Sequence, residues 1–498
     1  MVSAPARVLS IDEGTTSARA AIYNQRGQRI AMHAAPVQSR FPHPGWVEQD
    51  AREIWRAQMA AVTEAVEAAS DLSGLAACGI TNQRETTIVW DRRTGDPIAP
   101  AIVWQCRRTA DMCAELGRSR DAAWIERKTG LVIDAYFSAS KIRWILDNIT
   151  DARAKAANRD VLFGTVDSWL IWNLTGGKRH VTDVTNASRT MLMDLASGAW
   201  DDDLLRVFDV PRAMLPEIVQ SCQRIGTIAD GLPGAGTPIS GIAGDQQAAL
   251  AGQACFRSGL SKNTYGTGCF ALTHAGDRAP ESKHRLLATR AASVSPRSQF
   301  AVEGSVFVAG AAIQWLRDEM GLLQTAAESE ALALSVPDTG GVYAVPAFVG
   351  LGAPHWDSAA RGVISGLTRA SNKAHIVRAA LESIAFQSKE LIDAMEADSG
   401  EPLVELRVDG GATVNNFLMQ FQADILGKNV VRPSDVETTA LGAAYLAGIA
   451  EGVWSGVDEV ENFWRIDRSF EPRMPERRRL ELINGWQKAV RRARSDLQ

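Results

Sequence analysis

Two short glycine-threonine turns stand half a chain apart, each bordered by strand-like residues: Asp12-Glu13-Gly14-Thr15-Thr16-Ser17 and Asn263-Thr264-Tyr265-Gly266-Thr267-Gly268. Glycine lets the backbone approach an anion closely and adopt positive φ, and the threonine and serine hydroxyls join the exposed N–H groups as donors. Either turn alone reads as punctuation at a strand end. The pair suits a phosphate-bearing ligand gripped between two strand-built halves, and Asp12 adds a carboxylate suited to Mg²⁺, directly or through water. The chain has no Gly-x-x-x-x-Gly-Lys-Ser/Thr, no Gly-x-Gly-x-x-Gly opening a helix after a strand, and neither the His-Arg-Asp nor the Asp-Phe-Gly element of protein kinases.

At 498 residues the chain exceeds one ordinary core, so two large domains or a few smaller ones are expected. Val8-Leu9-Ser10-Ile11, Ala20-Ala21-Ile22-Tyr23 and the run from Arg29 to Ala34 read as a strand meander turning at Asn24-Gln25-Arg26-Gly27. Glu53 to Ala69 then carries Ile54, Trp55, Met59, Val62 and Val66 at helical spacing, before strand character returns at Leu75 to Ile80 and Thr87 to Trp90. Strands followed by helices imply a layered α/β domain. Gly226 to Gly241 is rich in glycine and proline, which places a boundary between Gly241 and Leu260 and gives domains 1–248 and 249–498. The second half predicts helices at Ala309 to Met320 and Lys373 to Ala397, and a strand Leu406 to Asp409 running into Gly410-Gly411-Ala412.

Hydrophobic residues make up 46% and charged residues 22%, the balance of a soluble globular protein, and a net charge of -5 gives no support for nucleic-acid binding. The six cysteines include no Cys-x-x-Cys, so buried free thiols in a reducing compartment are expected. Met1 to Arg7 leads straight into a strand, leaving no secretory segment, and no run of about 20 apolar residues predicts membrane insertion. The expectation is a cytoplasmic protein. The seven histidines show no metal-ligand spacing, and Trp169, Trp172, Met191 and Met193 read as core. Arg477-Arg478-Arg479 and Arg491-Arg492 read as a solvated helix face, with an anionic-partner site as the alternative.

Polar residues concentrate in two places. Gly79 to Thr87 ends a strand with Arg84 and Glu85, whose donor fork and acceptor pair suit hydroxyl groups, although a plain salt bridge accounts for them equally. Gly244-Asp245-Gln246-Gln247 follows an apolar strand and opens a helix; Asp245 is either an N-cap or a general base taking a hydroxyl proton during attack on a γ-phosphorus. Trp104, Tyr136 and Phe270 lie in or beside polar segments and suit the wall of a small polyol pocket, or simply the core. Gly410-Gly411-Ala412 with Asn415 and Asn416 gives a turn able to approach an adenosine, or a helix cap.

These motifs together resemble the FGGY carbohydrate kinases, within the superfamily of actin, heat-shock chaperone ATPases and sugar kinases, and among them the members acting on glycerol. The resemblance runs nearly the whole chain, through Pro44-Gly45-Trp46-Val47-Glu48, Ala101 to Gln105, Thr165 to Trp169, Asp183 to Arg189, Lys262 to Phe270, Pro346 to Pro354 and Asp409 to Asn416. It implies two ribonuclease H-like, actin-like ATPase domains flanking a deep cleft, and transfer of the ATP γ-phosphoryl to glycerol, giving sn-glycerol 3-phosphate. Carried onto this chain, it implies that Arg84, Glu85, Tyr136, Asp245 and Gln246 bind glycerol with Trp104 and Phe270 on its carbon face, and that Asp245 is the base. It further implies that Thr15, Thr16, Ser17, Arg19 and Thr267 contact phosphates, that Gly310, Gln314, Gly411 and Asn415 line the nucleotide site, and that Asp12 and Asp245 stand near Mg²⁺. A homo-oligomer, dimer or tetramer, is expected. The alternatives are a kinase for another polyol or sugar, and a non-catalytic nucleotide-dependent binding module.

The chain departs from the family pattern in places. Glu13 stands where glutamine is usual, beside a phosphate site; alternation along a strand predicts that it faces away from the phosphates. Ala135 replaces a usual proline, and Ser138-Ala139-Ser140 a more familiar Ser-Gly-Thr. Ala229 to Thr237 has no Lys or Arg to bind fructose 1,6-bisphosphate, and no histidine lies between Cys222 and Gly241 for activation by phosphorylation, so neither of the family's controls is expected.

Overall fold

The first glycine-threonine turn joins strands β1 (Arg7–Glu13) and β2 (Ser17–Asn24), at the head of a meander completed by β3 (Arg29–Pro36). The protein is described here by a computed structural model covering residues 6–69, 74–295, 297–357, 359–400 and 402–495. The amino-terminal reading from Met1 to Pro5 lies outside the described residues. Asp50 caps helix α1 (Ala51–Ala68) by accepting from the Arg52 N–H, and Ile54, Val62 and Val66 bury one face of that helix against the sheet. The chain then returns as β4 (Leu75–Asn82), parallel to β1, and after a long excursion adds β5 (Cys222–Thr227) and β6 (Pro238–Gly244). The six strands stand in the order β5-β6-β4-β1-β2-β3. Central β1 is buried almost throughout, as a strand covered on both faces must be.

A second sheet repeats this plan. Strands β7 (Ser261–Tyr265), β8 (Cys269–Gly276), β9 (Leu287–Arg290), β10 (Phe300–Val306), β11 (Leu406–Asp409), β12 (Val430–Pro433) and β13 (Ile466–Phe470) form seven strands ordered β9-β10-β8-β7-β11-β12-β13. In each sheet the lead strand pairs antiparallel with its successor and parallel on its other side, followed by a second parallel strand and an antiparallel edge. Strand β9 is the addition. The two glycine-threonine turns therefore occupy equivalent positions, after the lead strands β1 and β7. This is the mixed α/β, two-lobed actin-like architecture expected from the sequence.

Helix α2 (Asp245–Gly252) leaves β6, and the division expected between residues 248 and 249 falls inside it. Helices α3 (Gly310–Asp318), α4 (Lys373–Ser399) and α5 (Asn416–Leu426) pack in the core of the second half. Helix α6 (Thr438–Ala450) crosses back to lie against α2, β4 and β6. The approach is backbone to backbone: a Cβ at Gly442 would stand 1.8 Å from the Ala248 carbonyl oxygen, and one at Gly252 1.9 Å from that of Thr438. Only glycine permits such a joint.

Three local readings differ from the structure. The strand expected at Thr87 to Trp90 is Ile88–Asp91 and pairs with Val161–Gly164 outside the main sheet, because Thr87 is taken by a bridge to Ile102. The helix expected from Ala309 starts at Gly310, since the Ala309 N–H is bonded to the Thr267 carbonyl. Asp245 is not an N-cap: Gly244 holds that position and Asp245 is the first helical residue. All six cysteines are unpaired, and among the described residues no helix is long and apolar enough to cross a membrane.

Candidate active site

Arg84 and Glu85 lie just past β4, where the chain leaves the sheet, and Glu85 takes a left-handed φ of 59°. That conformation costs a non-glycine residue about 1–3 kcal/mol and persists only where its surroundings hold it. The surroundings here are ionic. Arg84 gives both terminal nitrogens to the Glu303 carboxylate, at 2.5 and 2.8 Å, and its Nε lies 3.0 Å from Asp245 Oδ1. Glu85 accepts from Arg189 Nε at 2.6 Å, and Arg189 Nη2 stands 3.3 Å from Glu303. The direct Arg84–Glu85 approach is only 4.0 Å, so the plain salt bridge between neighbours gives way to a buried chain Asp245–Arg84–Glu303–Arg189–Glu85. Burial alone pushes the Glu303 carboxyl up, but Arg189 and Arg84 overcome it and hold it down at about 2. The Asp245 side chain is 31% exposed, against 2% or less for the other four, and is the open end of the chain.

Trp104, Tyr136 and Phe270 converge, with ring centroids 5.5 Å apart for Trp104 and Tyr136 and 6.5 Å for Trp104 and Phe270. The Arg189 guanidinium lies over the Tyr136 ring at 5.4 Å. Trp104 also donates its indole N–H to Thr15 Oγ1 at 2.9 Å, which fastens this aromatic wall to the first glycine-threonine turn. Ser138 Oγ donates to the Glu85 carbonyl, so the altered Ser138-Ala139-Ser140 segment braces the same loop.

The first turn closes with a Gly14 N–H to Ser17 carbonyl bond at 3.0 Å and leaves Thr16 exposed. Arg19 donates to Ser17 Oγ at 3.3 Å and to Glu437 at 2.9 Å, and lies 3.7 Å from Asp12. Burial holds the Asp12 carboxyl up at about 6, with Arg19 pulling it down and Asp245 and Glu437 pushing it up. Asp12 and Asp245 thus share one electrostatic neighbourhood. Among the described residues no group of three or more His, Cys, Asp or Glu side chains forms a ready metal cage.

Glu13 points away from Asp12, as strand alternation demands, and is fully buried. One carboxyl oxygen accepts from Gln83 Nε2 at 3.1 Å and the other has no partner. Burial raises its carboxyl well above the usual range, Gln83 opposing and Asp12 adding to the rise.

In the second turn Thr267 is exposed, and the Gly310 N–H donates to the Gly266 carbonyl at 3.0 Å. A Cβ at Gly310 would come within 2.5 Å of that oxygen, so glycine is required for α3 to start against the turn. Gln314 is exposed one turn along α3, and Gly411 has open space where a side chain would be. Asn415 caps α5 by accepting from the Leu418 N–H at 2.9 Å, and its amide nitrogen lies 3.4 Å from Ser329 Oγ. Among the described residues no hydrogen bond ties Gln314 or Gly411 to the turns.

Sequence reasoning missed Glu303, Arg189 and Lys262. Arg189 and Lys262 lay inside quoted motifs without a role. Glu303 had one legible signal, a lone carboxylate in the otherwise apolar strand Phe300–Val306, which a buried strand tolerates only if the charge is paired.

The N-terminal domain of the FGGY family of carbohydrate kinases matches residues 7–252, and its C-terminal domain residues 261–451. The chain is 55% identical over 488 residues to a glycerol kinase of Symbiobacterium thermophilum, covering 98% of both chains. It is 54% identical over 487 residues to glycerol kinase 2 of Thermotoga maritima, again over 98% of both. Among solved structures, Plasmodium falciparum glycerol kinase with ADP superposes with a TM-score of 0.92 at 36% identity over 98% of each chain. A ligand-bound xylulose kinase from Lactobacillus acidophilus, at 22% identity and a TM-score of 0.86 over 97% of this chain and 96% of that one, shares the fold.

Proposed function

Because this chain belongs to the FGGY family of carbohydrate kinases, we infer that it phosphorylates glycerol with ATP, giving sn-glycerol 3-phosphate. One observation carries the reading: the Trp104 to Thr15 hydrogen bond joins an aromatic, charge-lined pocket to a phosphate-type turn, with the open carboxylate of Asp245 at the end of the charge chain. A polyol and a phosphoryl donor would meet there.

In this proposal Arg84, Glu85, Tyr136, Asp245 and Gln246 hydrogen-bond the glycerol hydroxyls, and Trp104 and Phe270 cover its carbon face. Asp245 accepts the proton of the attacking hydroxyl while that oxygen displaces ADP in line at the γ-phosphorus, a step that asks for position and charge more than covalent chemistry. Arg84 holds Asp245 from one side and the Gln246 N–H donates to Asp245 Oδ1 at 2.7 Å, so the carboxylate is aimed before substrate arrives. Thr15, Thr16, Ser17, Arg19 and Thr267 take the phosphates; Gly310, Gln314, Gly411 and Asn415 line the nucleotide.

Asp12 and Asp245 offer the oxygen-only donors that Mg²⁺ prefers, and when bound the ion neutralises phosphate charge. The lobes are divided at residues 248 and 249, and their closure keeps the γ-phosphate from water. Six unpaired thiols favour a cytoplasmic location. Exposed Phe348, Val349 and Leu367 supply apolar surface for a homo-oligomer, dimer or tetramer.

Glycerol-dependent ADP formation by the purified protein is the direct test, run beside four- and five-carbon polyols. A higher kcat/KM for one of those would reassign the substrate, and ATP binding without turnover on any polyol would leave a binding module.

A further inference from the structure

Lys262 is fully buried on β7, the strand that runs into the second glycine-threonine turn. Its ammonium donates to Thr264 Oγ1 at 2.9 Å, to the Phe270 carbonyl at 3.1 Å, and to Gln246 Oε1. An ammonium has three protons and no acceptor, so these partners use its whole capacity. Because it only donates, it decides which end of the Gln246 amide faces it. The oxygen turns toward Lys262, and the amide nitrogen is left without a hydrogen bond to any described residue.

The contacts within the hairpin do not explain the lysine. Thr264 and Phe270 are already opposite each other in the β7–β8 ladder, and an apolar side chain of equal length would fill the same space. The contact that reaches outside the hairpin is the one to Gln246, which lies on α2 beside Asp245.

We propose that Lys262 is a positioning residue for substrate recognition: by holding the Gln246 carbonyl it makes the amide N–H₂ a fixed donor toward the polyol. The inference rests on the assignment of Gln246 to the glycerol site. A hydroxyl meeting this donor must accept from it, which leaves its own proton free for a carboxylate such as Asp245. The lysine thereby sets the direction of the hydrogen bonds around the reacting alcohol.

The charge on Lys262 is adjustable. Burial lowers its pKa to about 8, Asp409 on β11, Asp245 on α2 and Glu303 on β10 pulling it up and Arg84 pushing it down. The neighbouring Cys255 and Cys269 thiols are pushed up to about 12 by burial and stay neutral. When the ammonium loses its proton the amine gains a lone pair, accepts from the amide N–H₂, and the preference of Gln246 as donor is lost.

A double-mutant cycle on KM for glycerol tests this. Lys262→Met and Gln246→Ala are each expected to raise that KM about tenfold, with KM for ATP within about threefold of the unmodified protein. The double variant should match Gln246→Ala alone, because Lys262 acts through Gln246. Multiplied effects, about a hundredfold in the double variant, would overturn the proposal, as would an unchanged KM in Lys262→Met. A second measurement needs no Lys262 variant to fold. Glycerol KM should climb as pH rises through about 8 in the unmodified protein and stay flat in Gln246→Ala; parallel profiles in the presence of normal glycerol turnover overturn the role of Lys262 alone. Absence of glycerol turnover in the unmodified protein removes the glycerol reading and this proposal with it.

Discussion

Glu303 holds Arg84 through both terminal guanidinium nitrogens, at 2.5 and 2.8 Å, and Glu303 stands in a strand of the second sheet while Arg84 follows a strand of the first. The polar residues at the end of β4 are therefore set by a carboxylate from the other half of the molecule. The same carboxylate faces Arg189, which in turn holds Glu85. One buried acid organises both members of the Arg84-Glu85 pair.

Replacing that acid with its amide leaves two buried guanidinium groups short of charge. Loss of one partner of a buried pair costs about 3–5 kcal/mol. Glu303→Gln is expected to lower the thermal midpoint and to raise KM for glycerol about tenfold or more, with KM for ATP nearly unchanged. The pH dependence follows from the held-down carboxyl. Its contribution to stability is complete above its ordinary value of 4.5 and is lost as pH falls through about 2. Acid unfolding curves of the variant and the unmodified protein should converge toward that limit.

Glu13 works in the opposite direction. Its carboxyl is raised well above 4.5 by burial, and among the described residues one oxygen has no partner and no cation lies against it. The fold prefers it neutral, so its contribution is favourable below pH 4.5 and is lost as pH rises through the raised value. Glu13→Gln keeps the shape and removes the charge. The variant is expected to be more stable than the unmodified protein at pH 8 and equal to it near pH 4, with KM for ATP within about twofold. A large fall in that KM would place the carboxylate against the phosphates.

How much of this was legible depends on how local the cause is. The meander, α1 and the strand Leu406–Asp409 follow from period and turn residues, and they stand where they were expected. Strand alternation predicted that Glu13 faces away from the phosphates, and in the structure its side chain is buried against Gln83. Two domains were expected from length and the Gly/Pro-rich stretch, whereas their actin-like fold came from ordered motifs matched to a family rather than from pattern. Glu303 offered only the signal of a lone carboxylate in a buried strand, because its role lies in what crosses to meet it, and Arg84 and Arg189 are distant in sequence. Asp245 shows the limit at short range, because cap and first helical residue differ by one position and only the backbone decides between them.

The Gly442–Ala248 and Gly252–Thr438 contacts make a stability prediction independent of chemistry. A methyl at Gly442 would meet a backbone oxygen at 1.8 Å, and backbone cannot swing aside as a flexible side chain can. Gly442→Ala is expected to destabilise the protein by about 3 kcal/mol or more. Chemical denaturation measures it, and a midpoint unchanged from the parent would mean that α6 can slide on α2.

Asp245 supplies the sharpest separation of binding from chemistry. Asp245→Asn keeps the size of the side chain and the oxygen that accepts from the Gln246 N–H. It removes the charge proposed to take the alcohol proton. Turnover should fall by at least about two orders of magnitude, while calorimetry still detects ATP and glycerol binding.

Trp104 tests whether the polyol pocket and the phosphate turn act as one unit. Its ring packs near Tyr136 and Phe270, and its indole N–H reaches Thr15 Oγ1 at 2.9 Å. With its oxygen accepting from the indole, the Thr15 hydroxyl has its own proton directed elsewhere, available to a phosphate if the turn binds one as proposed. Trp104→Phe keeps an aromatic face and removes that donor together with part of the ring, leaving the hydroxyl free to rotate. One neutral hydrogen bond is worth about 1 kcal/mol, or about fivefold in an equilibrium. KM for ATP should therefore rise about fivefold, although Trp104 is assigned to the glycerol side, while KM for glycerol changes by less than about threefold. The reverse pattern, with glycerol affected and ATP untouched, would show that the wall and the turn are adjacent but energetically separate.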